Sequence, residues 1–163
     1  MHDAYVGMAS LVERIHRQFL EVIKAELDAL GVRDINGAQG LMLFNIGDAE
    51  MTVGDLTLRG CYLGSNVSYN LKKVVENGYL SQERSVHDRR TINVRLTEKG
   101  AKLCERLQIM HGRHIALLKS ETAITDEDLQ SVAATLQRLD RFLDRVAEMD
   151  APSRAAISAS VAP

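Results

Sequence analysis

The sequence predicts a mainly α-helical fold with one small β-hairpin, which places it in the α+β class. Apolar residues recur every three or four positions over 10–30 and again over 129–146, as they do on amphipathic helices. Between 79 and 96 the spacing changes to two, which is typical of strands. A chain of 163 residues, 45% of them hydrophobic and 26% charged, can bury a core, so these values exclude wholesale disorder.

Three helices are predicted in the first 59 residues. The first runs from Ser10 to Leu30 and ends at Gly31, since glycine commonly terminates helices. A second helix is predicted over 36–47, and a shorter third one over 52–59 with Thr52 as its N-cap. The apolar side of the first helix is formed by Leu11, Ile15, Phe19, Val22, Leu27 and Leu30.

A fourth helix is predicted from Ser65, a suitable N-cap, to the stop signal Asn77-Gly78. Its apolar stripe consists of Val67, Leu71, Val74 and Val75. The other positions are polar or basic, namely Ser65, Asn66, Ser68, Tyr69, Lys72 and Lys73. Such a face is unusual for a helix that is merely solvated, and it indicates a binding surface.

The predicted hairpin follows directly. Residues 79–84 and 91–96 have the character of short strands, and the connection 85–90 is polar and basic. Thr97 then caps a long helix predicted over 98–119.

The last helix has a heptad seam. Residues 125–128 resemble a helix-start box, with acidic residues in the first turn. The seam behind them consists of Leu129, Val132, Leu136, Leu139, Leu143 and Val146. Such a seam packs either against another helix of the same chain or against a second copy, and we favour a homodimer. Residues 151–163 are rich in Ala, Ser and Pro, which predicts a flexible tail.

Charge is divided unevenly along the chain. Residues 59–102 carry nine basic and four acidic side chains, a net charge of +5, so the rest of the chain carries −7. A basic middle suggests a face for a polyanion, although a solvated surface has the same composition. We find no apolar run long enough to span a membrane and no secretory signal, and we therefore expect a cytoplasmic protein without a membrane partner.

Three short helices followed by a basic hairpin describe a winged helix-turn-helix. Three segments resemble the wing signature of the MarR family of regulators: Gly78-Tyr79-Leu80, Asp88-Arg89-Arg90-Thr91 and Val94-Arg95-Leu96-Thr97-Glu98-Lys99-Gly100. The resemblance covers roughly residues 38–102. It implies a DNA-binding region over 36–100, flanked by N- and C-terminal dimerisation helices in 1–35 and 101–150.

The resemblance also implies which residues bind double-stranded DNA. Residues 65–77 would be the recognition helix, which enters the major groove of an operator. Arg90 would be the wing-tip arginine in the minor groove, with Asp88 orienting it. The predicted DNA-binding residues are Ser65, Asn66, Ser68, Tyr69, Lys72, Lys73, Arg84, His87, Asp88, Arg89 and Arg90.

Regulators that resemble this chain are usually homodimeric repressors whose DNA affinity is changed by a small effector. A candidate effector crevice would be lined by His16, Phe19, Phe44, Cys61 and Tyr62, unless these residues simply pack in the core. Cys61 could instead couple oxidation to release of DNA.

Catalysis and metal binding have little support in the sequence. There is no phosphate-binding glycine loop, nucleophile elbow or HExxH motif, so we expect neither an enzyme nor a cofactor. His111 and His114 lie too far from Cys104 along a helix to share one metal ion. Two cysteines cannot form a disulfide framework, and they are expected to be buried. The alternative function is a winged-helix module that binds another protein rather than DNA.

Overall fold

The computed structural model describes residues 1–47, 50–59, 64–84 and 91–160. The chain divides into two compact units, Met1–Arg113 and His114–Pro163. Its elements are α1 (His2–Ala29), α2 (Gly37–Ile46), β1 (Met51–Thr52), α3 (Val53–Arg59), α4 (Gly64–Glu76), β2 (Leu80–Arg84), β3 (Ile92–Leu96), α5 (Glu98–Glu121) and α6 (Asp126–Ser160). The mainly helical fold with a small sheet confirms the predicted fold class.

Helix ends lie where local signals predict them. Gly31 and Gly78 follow α1 and α4 with φ angles of 73° and 75°, a left-handed conformation that favours glycine. Thr52 caps α3, because its hydroxyl accepts a 3.0 Å hydrogen bond from the Asp55 amide. Thr97 caps α5 through the Gly100 amide at 3.1 Å, as predicted.

Several helix boundaries and one strand differ from the sequence prediction. α1 begins at His2 instead of Ser10, and α4 begins at Gly64, so Ser65 lies in its first turn and is not the N-cap. Strand β1 was not predicted, because two residues are too few to show an alternating pattern. α6 continues to Ser160, and the alanines after residue 150 have the highest helix propensity of any residue. Flexibility of 151–163 stays a prediction.

The sheet is antiparallel, with strand order β1-β3-β2. β2 pairs with β3 from Leu80 opposite Leu96 to Arg84 opposite Ile92, and Met51 of β1 pairs with Val94. Leu80, Met51 and Val94 are buried, so one side of the sheet packs on the core. Along β2 the side chains change from buried at Leu80 to exposed at Arg84. The connection that follows, 85–90, lies outside the described residues.

A single apolar core fills the first unit, Met1–Arg113. It takes side chains from every one of its elements, among them Ile23, Leu27, Met42, Leu43, Leu56, Val74, Leu107 and Met110. Gly37 is required where α2 meets α1, because a Cβ there would collide with the Leu20 carbonyl.

The second unit, His114–Pro163, consists of the end of α5 and the whole of α6. Thr125 and Asp128 form the predicted start box, since the Asp128 amide donates to the Thr125 hydroxyl and the Thr125 amide to the Asp128 carboxylate. Large apolar residues of α6 are exposed, namely Leu129, Val132, Leu136, Phe142, Leu143 and Met149. Within the described residues, no helix combines the length and the hydropathy needed to cross a bilayer.

Candidate nucleic-acid interface

Helix α4 has the two faces that its sequence predicts. Val67, Leu71 and Val74 are at most 6% exposed and fix the helix on the core. Ser68, Tyr69 and Lys72 are exposed on the other side, and the Tyr69 side chain is 60% exposed. An exposed aromatic ring beside a hydroxyl and an ammonium group can contact base edges and phosphates. Ser65 and Asn66 lie in the first turn of α4, and their side chains are outside the described part.

Both lysines of α4 approach one carboxylate. Lys73 Nζ lies 3.1 Å and Lys72 Nζ 3.7 Å from the two carboxylate oxygens of Glu76. The hydrogen bond with Glu76 raises the pKa of Lys73, and the same bond lowers the pKa of Glu76. Glu76 therefore partly neutralises the two residues that were predicted to contact phosphates.

The hairpin presents a polar outer side. Arg84 is exposed at the end of β2, next to the predicted tip. On the same hairpin, Arg95 makes a 2.9 Å ion pair with Glu83 and a 3.3 Å hydrogen bond to the Ser81 hydroxyl. The predicted contacts His87, Asp88, Arg89 and Arg90 lie outside the described residues.

The segment Leu96-Thr97-Glu98-Lys99-Gly100 contacts the base of the hairpin. Thr97 Oγ1 donates to the carbonyl oxygens of Gly78 and Tyr79, at 2.7 and 3.1 Å. Gly100 lies directly against the Tyr79 carbonyl, where a Cβ would collide with it. The glycine therefore allows α5 to begin in contact with the segment that joins α4 to β2.

A charged cluster joins the α1–α2 connection to this base. Asp34 accepts hydrogen bonds from the Tyr79 hydroxyl at 2.8 Å and from Lys99 Nζ at 3.1 Å. Lys99 Nζ also donates to the Asn77 carbonyl at 2.9 Å and lies 3.9 Å from the centre of the Tyr79 ring. Burial alone would raise the pKa of Asp34, but the Tyr79 and Lys99 hydrogen bonds outweigh it, and the pKa lies below its ordinary value.

Sequence reasoning missed five side chains of this region: Asp34, Gln39, Asn70, Glu76 and Lys99. Four of them act through partners distant in sequence, such as Gln39 and Asn70, which are 31 positions apart. Only Glu76 had a local signal, its spacing of three and four residues from the lysines.

Two of the predicted effector residues contact the same ring. The Phe19 ring stacks on His111 with centroids 5.5 Å apart, and Phe44 meets His111 edge-on at 4.5 Å. His16 is exposed on α1, while Cys61 and Tyr62 lie outside the described residues. The structure thus brings Phe19 and Phe44 together around His111.

Neither a metal centre nor an exposed thiol is evident in the described ranges. No group of three metal-ligating side chains occurs among those residues. Cys104 is buried, as predicted.

Known proteins share this architecture. Residues 35–100 match the family described as a winged helix DNA-binding domain. The exopolysaccharide II synthesis transcriptional activator ExpG of Rhizobium meliloti (strain 1021) is 40% identical over 139 residues, which make up 85% of this chain and 69% of ExpG.

Solved structures agree in fold. Streptococcus pneumoniae FabT in complex with DNA has a TM-score of 0.66 and 20% identity, over 87% of this chain and 99% of FabT. The reduced form of MarR from E. coli has a TM-score of 0.62 and 22% identity, over 80% of this chain and 94% of MarR. With 40% identity to a transcriptional regulator over most of both chains, and with the winged fold of MarR, the chain belongs to the MarR family of DNA-binding transcriptional regulators.

Proposed function

We propose that this regulator acts as a homodimer that binds a pseudo-palindromic operator, with α4 in the major groove and the hairpin over the adjacent minor groove. The observation that carries this proposal is the α4 surface: Ser68, Tyr69 and Lys72 are exposed above a buried apolar stripe. A helix of this kind fits the major groove, which is about 12 Å wide. The site has the character of a binding surface, not of an enzyme active site.

Dimer formation is supported by apolar surface in each unit, taken separately. α1 exposes Tyr5, Val6, Leu11, Val12, Ile15 and Val22. α6 exposes part of the predicted heptad seam, and contiguous apolar surface of this kind is typical of a protein interface. A twofold dimer would place two α4 helices about one DNA turn apart, or about 34 Å.

Activation is the regulatory outcome that we propose. The sequence resemblance alone favours repression, the usual role in the family, but the relative at 40% identity is named as a transcriptional activator. We expect the operator of an activator to lie upstream of the promoter. The regulator must share a compartment with the DNA, which we take to be the cytoplasm. A reporter gene under the selected operator tests this directly: expression falls on deletion of the regulator if it activates, and rises if it represses.

A small effector is part of the proposal. The Phe19–His111–Phe44 cluster joins α1, α2 and α5, so a flat apolar ligand that replaced one of these ring contacts would shift helices next to the DNA-binding region. Addition of such ligands to the operator complex should lower the DNA affinity of wild type and not of Phe44→Ala.

Selection of duplexes from a random pool tests DNA recognition. We expect an inverted repeat with half-sites one turn apart. Lys72→Ala should weaken binding to all duplexes and reduce the salt slope by about one unit, because one phosphate contact is lost. Recovery of no preferred sequence would contradict the proposal and favour the protein-interaction module.

A further inference from the structure

The recognition helix is held by polar contacts from one short segment, residues 34–39, which comprises the end of the α1–α2 connection and the first turn of α2. Gln39, the segment's last residue, is 4% exposed, and it is the one buried polar residue among the described side chains. A buried amide is retained only where its hydrogen bonds are made, so its partners indicate its role.

Both ends of the Gln39 amide are occupied. Its side-chain Oε1 accepts a hydrogen bond from the backbone amide of Asn36 at 3.0 Å. In return, Asn36 Oδ1 accepts a hydrogen bond from the backbone amide of Gln39 at 2.9 Å, and the two bonds form a capping box at the start of α2. Its Nε2 donates to Oδ1 of Asn70 on α4 at 3.2 Å. One side chain therefore fixes both the first turn of α2 and the middle of the recognition helix.

A second contact holds the end of the same helix. Asn77 Nδ2 donates to the Asp34 carbonyl at 2.6 Å. Asn77 directly follows α4, and its amide still donates to the Lys73 carbonyl as in a helical turn. Asn70 and Asn77 are seven residues apart, so they lie on one side of the helix, two turns from each other. Two contacts at this separation fix the rotation of α4 about its own axis, which a stripe of interchangeable apolar contacts specifies less sharply.

The segment is itself held against α1. Gly37 lies against the Leu20 carbonyl so closely that no side chain fits between them. The same short segment therefore contacts both α1, through Gly37, and α4, through Gln39.

We propose that Gln39 is a positioning residue for sequence recognition: through Asn70 it sets the rotation of α4 and so the alignment of Tyr69 and its neighbours with base edges. This inference rests on the proposed function of α4. Gln39 does not touch DNA in this proposal. Its loss should impair discrimination between sequences and leave general attraction to phosphates unchanged, because phosphate contacts tolerate small rotations.

The test compares wild type, Gln39→Met, Asn70→Ala and the double variant on three duplexes: the selected operator, a single-base mismatch and an unrelated sequence, each at several salt concentrations. We expect each single variant to lower the ratio of operator to mismatch affinity by about five- to tenfold, the range of one weakened base contact. Affinity for the unrelated duplex and the salt slope should stay at wild-type values, and the double variant should be no worse than either single one.

Gln39→Glu and Gln108→Met complete the design. A carboxylate at position 39 can accept a hydrogen bond from the Asn36 backbone amide. If the Asn70 side-chain amide rotates by 180°, the carboxylate can also accept one from Asn70 Nδ2. Gln39→Glu should therefore keep most of the discrimination that Gln39→Met loses. Gln108 is exposed on α5, and its change to Met should have no effect. Melting temperatures show whether each variant folds. If the Gln39 variants do not fold, the discrimination ratio of Asn70→Ala alone tests the inference.

Three outcomes would overturn the inference. The first is an unchanged discrimination ratio in Gln39→Met and Asn70→Ala, and the second is an equal loss of affinity on all three duplexes. The third is a double variant that discriminates clearly less than Asn70→Ala, which would mean that Gln39 acts by a route other than Asn70. Failure of the proposed function is distinguishable, because wild type itself would then not discriminate between the duplexes.

Discussion

The backbone of Gly100 packs directly against the carbonyl oxygen of Tyr79, at the point where α5 begins beside the hairpin. The same oxygen accepts a 3.0 Å hydrogen bond from the Thr97 amide and a 3.1 Å bond from its hydroxyl. A side chain at position 100 would force these groups apart.

Gly100→Ala should therefore destabilise the protein by about 1–3 kcal/mol, as overpacking does elsewhere. Urea denaturation measures the loss. Gly112→Ala is the matched control on the same helix, because nothing lies within 4 Å of a Cβ added there. That control should gain up to about 1 kcal/mol from helix propensity. Equal stability of the two variants would show that the contact at Gly100 is unimportant.

Glu76→Gln should tighten DNA binding. The change removes the carboxylate that pairs with Lys72 and Lys73, which then face phosphates without internal competition. We expect affinity to rise about threefold on every duplex with no change in sequence preference. Asp28→Asn removes the same charge from an ion pair with Lys24 on α1 and should leave affinity unchanged. A loss of affinity in Glu76→Gln would mean that Glu76 orders the lysines for binding.

Stability should depend on Asp34 at acid pH. Because the pKa of Asp34 in the folded protein lies below its unfolded value near 3.8, its contribution is complete above that value and is lost as the pH falls through the folded pKa. Asp34→Asn should thus be less stable than wild type at pH 7, and the difference should shrink at pH 3. Tyr79→Phe keeps the buried ring and removes one hydrogen bond that lowers the pKa of Asp34. The gap between the folded and unfolded pKa values then narrows, so Tyr79→Phe should lose less stability on acidification than wild type. Parallel pH profiles for all three proteins would contradict this role.

The double change Leu136→Glu and Leu143→Glu should produce a monomer. Both side chains are exposed on the heptad seam of α6, and two carboxylates in an apolar interface should weaken association more than about a hundredfold. Sedimentation equilibrium measures the association. Ala134 lies on the opposite side of α6 by helical spacing. The control variant Ala134→Glu should therefore remain dimeric. A double variant that stays a dimer would place the interface elsewhere.

The elements that the sequence predicted correctly have local signals. Gly31, Thr52, Gly78 and Thr97 end or begin helices through contacts with their own neighbours, so spacing alone locates them. The polar side of α4 could be predicted in the same way, because Val67, Leu71 and Val74 define the buried side.

What could not be predicted depends on tertiary contacts. The Gln39–Asn70 and Asp34–Lys99 pairs join residues 31 and 65 positions apart, and no pattern within a helix or strand records such a pairing.

The most direct test of operator binding by a dimer is the stoichiometry and salt dependence of the complex with the selected operator, measured together by sedimentation and by titration from low to moderate salt. We predict two chains per duplex and an affinity that falls steeply with salt. The slope of the logarithm of affinity against the logarithm of salt concentration should steepen by about one unit for each phosphate contacted. One chain per duplex, or an affinity indifferent to salt, would contradict a dimer that reads DNA through α4 and the hairpin.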